Sequence, residues 1–440
     1  MTAVNLTPPG FSSDYVFESI ILETDRADVT ANLKAAITDI SIYEHLDKPY
    51  LTGELTFADH QRVFESADIL GGEKIILNIK STKQNTNIIK KTFYISKILN
   101  NARSNDNLSI INLHLIEDIA FTSNLQNINK AYEGKTSDII SKIAKNYLGK
   151  EVLTTNNDKQ NIKVIVPNLD PIEAMSWIKN RATTSDGYPF YLFSTFIGDE
   201  LKYIDLGTMI SMPVMNPTTT YKNWQSNSNS ADQVAIRRTI QNFKSRSTED
   251  LFTLIRNGLV GSNYSFIELS KGTSKEVKFD IHKDLMTNVI KLNPNQPHPP
   301  YVPGFLFNEI PFNELPSKKI YRIGGSSVYE NQLSYMESNS IADYKLEVIC
   351  NAMTEILKKS PLEVTVNGID FIDADDHKSI GNNIKIEFLS TDPDIPVDKS
   401  PIDKKMSGDY LIFAVEHVFK REKYDVKLTC VKLGSYKRLT

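Results

Sequence analysis

The densest group of side chains that could bind a metal ion or transfer a proton lies in residues 373–377. Three carboxylates and one imidazole occur in this short stretch: Asp373, Asp375, Asp376 and His377. Asp392 and Asp394 add two more carboxylates further along the chain. Hard cations such as Ca²⁺ prefer several converging carboxylates, so a metal site is one interpretation. The glycine and the closing glutamate of an EF-hand loop are absent, however, and we favour a solvated loop that connects two strands.

No other set of reactive residues has the spacing of a known catalytic or cofactor site. The seven histidines are scattered, and none forms the His-x-x-x-His pair that holds zinc on a helix. Gly-x-Ser-x-Gly, a P-loop and Gly-x-Gly-x-x-Gly are all missing. Paired carboxylates for glycoside hydrolysis meet only in the folded chain, so the sequence leaves that reaction open. We predict that the protein is not an enzyme, and we assign no catalytic, cofactor-binding or metal-binding residue.

The composition limits the class of protein further. The 440 residues are 40% hydrophobic and 24% charged, with a formal net charge of -4, which argues against a general nucleic-acid binder. The length suggests about two to four domains. No apolar run approaches the roughly 18 residues that span a bilayer, and the N-terminus does not look like a signal peptide. With only Cys350 and Cys430, we expect buried, unreactive thiols and assembly in a reducing cytoplasm.

Alternating apolar and polar residues define four short runs near the C-terminus. Alternation places one set of side chains on each face of a strand, so each run predicts a strand with one buried face. Loops rich in Gly, Asn, Asp and Pro separate the runs, which is typical of a small antiparallel sheet or barrel. The runs cover residues 362–368, 384–388, 408–419 and 424–431.

The order of these runs resembles the C-terminal end of the hub proteins of contractile phage tails. The resemblance rests on an alternating strand that ends in Gly368, a second short strand, and the Gly-x-Tyr-Leu-Ile run at 408–412. His417 and Phe419 follow at the spacing of those proteins, and a last amphipathic strand closes the pattern. The resemblance implies a mainly β fold with an α/β insertion and two similar antiparallel β-barrels per chain.

A second set of strand-like runs follows an extended arm at residues 1–14. These runs have the length and spacing of the C-terminal set, and Gly71-Gly72 and residues 105–107 separate them as turns do in a meander. We therefore predict two copies of one barrel, although the two sets share no visible sequence identity. The runs cover residues 37–42, 51–57, 75–79, 92–99 and 108–115.

Between the two sets the apolar residues change to helical spacing. Residues 136–149 have a capping residue, a helical apolar pattern and a glycine stop, and Asp170-Pro171 begins a second helix. The aromatic runs 188–193 and 201–204 predict a hairpin that turns at Gly198-Asp199. A helix, then a second helix leading into an aromatic hairpin, resembles the insertion of phage hubs and of type VI secretion spike proteins.

The remaining residues are predicted to connect the insertion to the second barrel. A polar linker, a short helix and a hairpin precede a proline-rich loop, and the part from 284 to 340 matches nothing in the resemblance. Apolar residues from Ala342 to Leu357 then predict an amphipathic helix beside the last barrel. The linker covers 216–231, the helix 247–258, the hairpin 262–280 and the proline-rich loop 293–304.

These patterns divide the chain into four predicted parts. A first β-barrel domain with its N-terminal arm spans residues 1–120, and the inserted α/β domain spans 121–215. The linker, hairpin and Pro-rich connecting region spans 216–340. The second β-barrel domain with its flanking helix spans 341–440.

The resemblance implies a structural virion protein that uses no cofactor. As a baseplate hub subunit, the chain would form a homotrimeric ring that adapts the hexameric tail tube above it to the trimeric central spike below. Other baseplate proteins would surround the ring, and DNA would pass through its channel without specific binding and without membrane insertion. Such a protein is expected in the tail baseplate of the virion, after assembly in the host cytoplasm. The alternative is a tail protein that binds a host receptor or cell-wall carbohydrate, with the aromatic hairpin as its groove.

Overall fold

Strands dominate the fold, as the alternating runs predict. The computed structural model describes two β-rich regions and the α/β segment between them. The described residues are 15–26, 29–81, 87–105, 108–159, 161–215, 220–223, 238–245, 251–268, 272–286, 306–307, 309–311, 319–323, 343–358, 361–372, 378–390, 402–403, 406–420 and 423–432. The N-terminal arm, most of the polar linker and the proline-rich loop lie outside them.

The strands of the N-terminal region and of the insertion range from 3 residues in β9 to 17 residues in β6. They are β1 (Tyr15–Thr24), β2 (Val29–Asn32), β3 (Ile37–His45), β4 (Thr52–Asp59), β5 (Lys74–Ser81), β6 (Ile89–Asn105), β7 (Leu108–Glu117), β8 (Ala131–Lys135), β9 (Val152–Thr154), β10 (Asn161–Ile165), β11 (Phe190–Phe193) and β12 (Leu201–Asp205). The strands that follow are β13 (Tyr221–Lys222), β14 (Asn242–Ser245), β15 (Gly261–Glu268), β16 (Thr273–Asp280), β17 (Leu306–Phe307), β18 (Ile310–Pro311), β19 (Lys319–Ile323), β20 (Leu362–Asn367), β21 (Asn383–Glu387), β22 (Gly408–Lys420) and β23 (Lys423–Val431).

Most helices lie in the insertion or flank the strands. They are α1 (Val63–Ser66), α2 (Asp118–Asn124), α3 (Thr136–Ile143), α4 (Pro171–Lys179), α5 (Leu206–Ser211), α6 (Leu251–Arg256) and α7 (Tyr344–Lys358). Short 3₁₀ or π turns occur at Leu33–Ala35, Ala144–Leu148, Ile281–Met286 and Gly368–Phe371.

Among the described residues, one continuous sheet of 13 strands links the N-terminal and C-terminal β-rich regions. Its order is β14-β20-β23-β22-β3-β4-β7-β6-β5-β1-β2, and β21 pairs with β22 and carries β13. We call β1–β7 the first half, and β13, β14 and β20–β23 the second half. The mainly β fold with an α/β insertion is confirmed, but β3 pairs with β22, so the two predicted barrels share one sheet. The meander is wrong, because β4 pairs with β7 rather than with β5.

Five strands of each half are arranged in the same way. The order across the sheet is β3-β4-β7-β6-β5 in the first half and β14-β20-β23-β22-β21 in the second. The corresponding strands also follow one another in the same order along the chain, and every pair among them is antiparallel. The strand topology thus supports the prediction of two similar units.

The register of the strands agrees as well. Equivalent opposed pairs are Gly53–Leu115 with Leu362–Cys430, and Lys74–Tyr94 with Asn383–Leu411. A bulge follows Ile95 in β6 and Ile412 in β22 at the equivalent position. Immediately beside each bulge, the N–H of Gly72 donates to Ile95 O at 2.7 Å and the N–H of Gly381 donates to Ile412 O at 3.0 Å. Both glycines have a positive φ, a backbone conformation that would be strained in a residue with a side chain.

The insertion has the predicted helices and hairpin. Asp170 caps α4 by accepting from the N–H groups of Ile172 and Glu173, with Pro171 in the first turn. Strands β11 and β12 pair as the predicted aromatic hairpin. The cap of α3 differs from the prediction, because the carboxylate of Asp158, from a later segment, accepts from the N–H of Ser137 at 3.1 Å. Tertiary structure therefore supplies the cap at that helix end.

Helix α7 is amphipathic as predicted, and its neighbours are now identified. Tyr344 stacks on Phe266 of β15 with ring centroids 4.3 Å apart. A Cβ at Gly187 of the insertion would lie 2.7 Å from an Ile349 methyl carbon, so that glycine permits close packing against the helix. The helix thus bridges the β15–β16 hairpin and the insertion.

Glu347 on α7 is a carboxylate with too few partners. Its Oε2 is buried without a hydrogen bond, and its Oε1 lies 3.8 Å from Arg322 Nη1. Burial raises the pKa of Glu347 to about 7, and the charge of Arg322 offsets only part of that increase. The charged form of this side chain therefore destabilises the native state.

The substitution Glu347→Gln is expected to stabilise the protein at pH 8 and to change little at pH 4. The native carboxyl group keeps its proton up to about pH 7, whereas the unfolded chain releases it near the ordinary glutamate value, so stability is lost as the pH rises between the two. The gain at pH 8 should be on the order of 2–3 kcal/mol. Urea unfolding at both pH values measures it. The control Glu151→Gln removes an exposed carboxylate, and an equal gain in both variants would refute the explanation.

Candidate functional site

The junction between the two halves is a β-strand pairing. Strand β21 covers only residues 408–411 of β22, so the rest of β22 needs another partner. Strand β3 supplies it through seven opposed pairs, from Ala414 opposite His45 to Lys420 opposite Asp39. The pairing satisfies main-chain groups on both strands, which would otherwise be open edges.

A buried ionisable cluster lies directly under this junction. Glu44 of β3 and His417 of β22 are 1% and 0% exposed, and His417 Nε2 lies 3.7 Å from Glu44 Oε1. The other imidazole nitrogen, Nδ1, is 2.8 Å from the hydroxyl of Tyr424. The backbone N–H of Phe196, in the insertion, donates to Glu44 Oε1. The cluster therefore joins the insertion to both halves.

The environment of Glu44 favours its charged form. Burial alone would raise the pKa of Glu44, but His417 and the N–H of Phe196 outweigh burial and hold this pKa below its ordinary value. An ionised carboxylate is the stronger hydrogen-bond acceptor. The charge of Glu44 therefore strengthens the contact with the insertion.

A second buried ion pair holds the other end of the same loop. Lys91 Nζ lies 3.2 Å from Glu117 Oε1 and donates to Gly198 O at 2.7 Å. Glu117 Oε2 also accepts from the N–H of Leu51 at 2.8 Å. Both charged side chains are at most 4% exposed. Together with Glu44, this pair fixes the loop at residues 194–198 against the first half.

These buried charges were not predicted from the sequence. Glu44 follows Ile40 and Ile42 at the inward positions of β3, and Lys91 precedes Phe93 at the inward positions of β6. A polar residue at an apolar position of an alternating strand is the signal that identifies them.

The outward face of the sheet is polar across the junction. A groove of about 620 Å³ runs over β14, β20, β23, β22 and β3. Among its charged side chains, Lys427 and Glu416 form an ion pair in which Nζ lies 2.9 Å from Oε1. Next to it, Lys423 Nζ lies 2.6 Å from Asp425 Oδ2. The surface is therefore polar with closely balanced charge.

The structure provides no support for catalytic chemistry in the part of the chain that it describes. Residues 373–377 and Asp392 with Asp394 lie outside that part, so the candidate metal cluster stays untested. Within the described residues, no three His, Cys, Asp or Glu side chains are placed to hold a metal ion. Cys350 and Cys430 are buried, as predicted, and burial raises the pKa of Cys350 to about 12. None of the described helices is long and apolar enough to cross a membrane.

The aromatic hairpin is part of the core rather than a groove. Phe190, Tyr191, Phe193 and Tyr203 are at most 3% exposed. Phe190 stacks on Tyr203 with ring centroids 4.7 Å apart. Aromatic faces that are covered in this way cannot stack on a sugar ring. The prediction that the hairpin forms the groove of a carbohydrate-binding protein is therefore wrong.

Replacement of Lys91 by Met is expected to destabilise the protein by about 3 kcal/mol, because Glu117 is left buried without its counterion. Amide hydrogen exchange at residues 194–198 should become faster, because Gly198 O loses its donor. Thermal unfolding and exchange measured by mass spectrometry test both effects.

The matched control for that substitution is Lys427→Met, which breaks an exposed ion pair and should cost less than about 1 kcal/mol. The double variant Lys91→Met with Glu117→Gln should be more stable than Lys91→Met, because no charge remains unpaired. Equal losses for Lys91→Met and the control would show that the buried pair does not hold the loop.

No protein-family model matches this sequence, and no curated protein matches it. Solved structures do match the fold. The tail protein from Neisseria meningitidis MC58 is 12% identical and aligns over 95% of this chain and 96% of its own, with a TM-score of 0.52. The 43 kDa tail protein of prophage MuSo2 from Shewanella oneidensis is 10% identical over 94% and 98%, with a TM-score of 0.51.

A component of the type VI secretion system of E. coli also matches, at 9% identity over 96% of this chain and 78% of its own. Its TM-score is 0.42, which is too low to support an argument. At these identities the likeness concerns the fold alone. The first two structures are tail proteins, one of them from a prophage, and this chain shares their fold, with alignments that cover 94–95% of it.

Proposed function

We propose that the chain is the baseplate hub subunit of a contractile phage tail. Three copies form a ring that adapts the hexameric tail tube to the trimeric central spike. The observation that carries this proposal is the repeat of five strands with the same order and register in both halves. A chain with two equivalent units offers six such units as a trimer.

The repeat explains how one ring serves two symmetries. Six equivalent backbone units present matching surfaces to the subunits of a hexameric tube. The two halves differ in their side chains, and the insertion follows the first half within the chain, so the ring retains true threefold symmetry for the spike. The four predicted parts of the chain, 1–120, 121–215, 216–340 and 341–440, fit this division of tasks.

The polar face of the sheet is suited to line the central channel. A sheet that continues through six halves closes on itself, and the cores of the halves cover one of its faces. The other face carries the polar groove with the ion pair of Glu416 and Lys427, and beside the groove Lys423 pairs with Asp425. Such a wall lets DNA pass without binding it, in keeping with the net charge of -4.

The proposed work is geometric rather than catalytic. The partners are further copies of the chain, the tail tube protein above, the spike below and other baseplate proteins. The location is the tail baseplate of the virion, reached by assembly in the host cytoplasm. The receptor-binding alternative has lost the groove on which it relied, because the aromatic hairpin is buried.

The purified chain is expected to form particles of three times its mass, with six lobes in class averages of electron micrographs. Light scattering at increasing concentration measures the mass. Added to the tail tube protein of the same phage, the particles should nucleate tubes of uniform width. One control is tube protein alone. The other is tube protein mixed with the Lys91→Met variant, in which the loop under the junction is expected to be held less firmly.

A chain that stays monomeric with and without its spike would contradict the hub proposal. Binding of the isolated chain to whole cells or cell-wall glycans would support the receptor-binding alternative instead.

A further inference from the structure

Two strand edges that have no partner among the described residues correspond to the two strands that pair at the junction. The correspondence of the halves equates β14 with β3, and β6 with β22. Strands β3 and β22 pair with each other within the chain. Within the part of the chain that the structure describes, their counterparts pair with no further strand: β14 pairs with β20, and β6 pairs with β5 and β7.

The exposed side of β14 carries an apolar residue that is buried in its counterpart. Ile40 of β3 lies opposite Leu55 of β4, and Phe243 of β14 lies opposite Val364 of β20 at the equivalent position. Ile40 is 1% exposed, whereas Phe243 is 43% exposed. The difference is what an uncovered edge produces, since β22 covers Ile40 through Phe419.

The second open edge is the C-terminal part of β6. Strand β5 pairs with β6 only from Ile89 to Tyr94, as β21 pairs only with the first residues of β22. Beyond that point, Asn101, Ala102 and Arg103 are exposed and pair with β7 alone. The part of β22 that is equivalent to these residues is the part that pairs with β3.

We propose that β14 of one copy pairs in antiparallel fashion with residues 101–105 of β6 in a second copy. The inference rests on the proposed function and specifies its subunit interface. It repeats between chains the junction that β3 and β22 form within one chain. The sheet then continues from subunit to subunit and closes after three copies, with no open edge at these strands.

The internal junction also fixes the register of the new one. A second bulge after Ile98 adds a residue to β6, so residues of β6 and β22 cannot be matched by counting along the two strands. We match them instead through the residues that they oppose on β7 and β23. Val418 opposite Ser41 then corresponds to Ala102 opposite Lys244, and both pairs lie on the polar face. The equivalent of His417 opposite Ile42 is Asn101 opposite Ser245, and that of Phe419 opposite Ile40 is Arg103 opposite Phe243.

The chemistry of the two edges fits this register. Arg103 comes to lie across from the exposed ring of Phe243, an arrangement in which a guanidinium and an aromatic face attract each other. Ala102 leaves room for the long side chain of Lys244. The contact is shorter than the seven pairs of the internal junction, so other surfaces must add to its stability.

The test is a disulfide between chains. The double variant Ala102→Cys with Lys244→Cys places two thiols opposite each other, because opposed Cα atoms in antiparallel strands are about 4.5–5.5 Å apart and a disulfide spans this distance. Under a mild thiol oxidant it should form covalent trimers on a non-reducing gel. The native cysteines are buried and do not compete.

Two controls match this variant. Ser41→Cys with Val418→Cys places thiols across the internal junction and should oxidise without a change of mass. Ala102→Cys with Phe243→Cys shifts the register by one residue, which turns the second thiol to the other face and should prevent the link between chains.

The outcomes separate the junction from the proposed function. Covalent trimers in the first variant, without them in the register control, support the junction. Trimers by light scattering that never cross-link at Ala102 and Lys244 overturn the junction but leave the hub proposal standing. A chain that is monomeric, and cross-links only between Ser41 and Val418, overturns both.

Discussion

The unsatisfied edge of a β-strand is the constraint on which this structure depends. Strand β22 is long, and β21 covers only its beginning, so its remaining N–H and C=O groups require a partner. Strand β3 has the same requirement at its outer side, and the two satisfy each other over seven residue pairs. One set of main-chain hydrogen bonds thereby turns two units into one sheet, and the buried contact of Glu44 with His417 lies directly under it.

Buried charged side chains hold the insertion in place, and their burial costs free energy. Burial of Glu44, Lys91 and Glu117 has a desolvation cost that apolar residues would avoid. In return, each carboxylate or ammonium group accepts or donates at a defined atom of the loop at 194–198. Glu44 is also a junction residue on β3, so the placement of the insertion and the pairing of the halves depend on the same strand.

Local patterns predicted the elements of this fold far better than their pairing. Alternation predicted β20–β23, and Asp170-Pro171 predicted the start of α4, because neighbours along the chain determine both. The partner of β4 could not be predicted, since β5 and β7 have equally suitable patterns. Strand β1 was missed next to the N-terminal arm, and Glu44 was missed although its inward position marks it. In the sequence, the repeat was visible only as two sets of strands of similar length and spacing. The matching register could not be predicted, because hydrogen bonds between backbones determine it.

The matching registers have a consequence for how such a chain can diverge. The same number of residues separates Gly53 from Gly72 and Leu362 from Gly381, yet the side chains at most positions along these stretches differ. Hydrogen bonds between backbones therefore preserve the geometry of the unit, while its side chains are free to evolve. In the proposed ring, the repeated backbone unit gives pseudo-sixfold symmetry. The side chains, which differ between the halves, and the insertion after the first half reduce it to threefold symmetry.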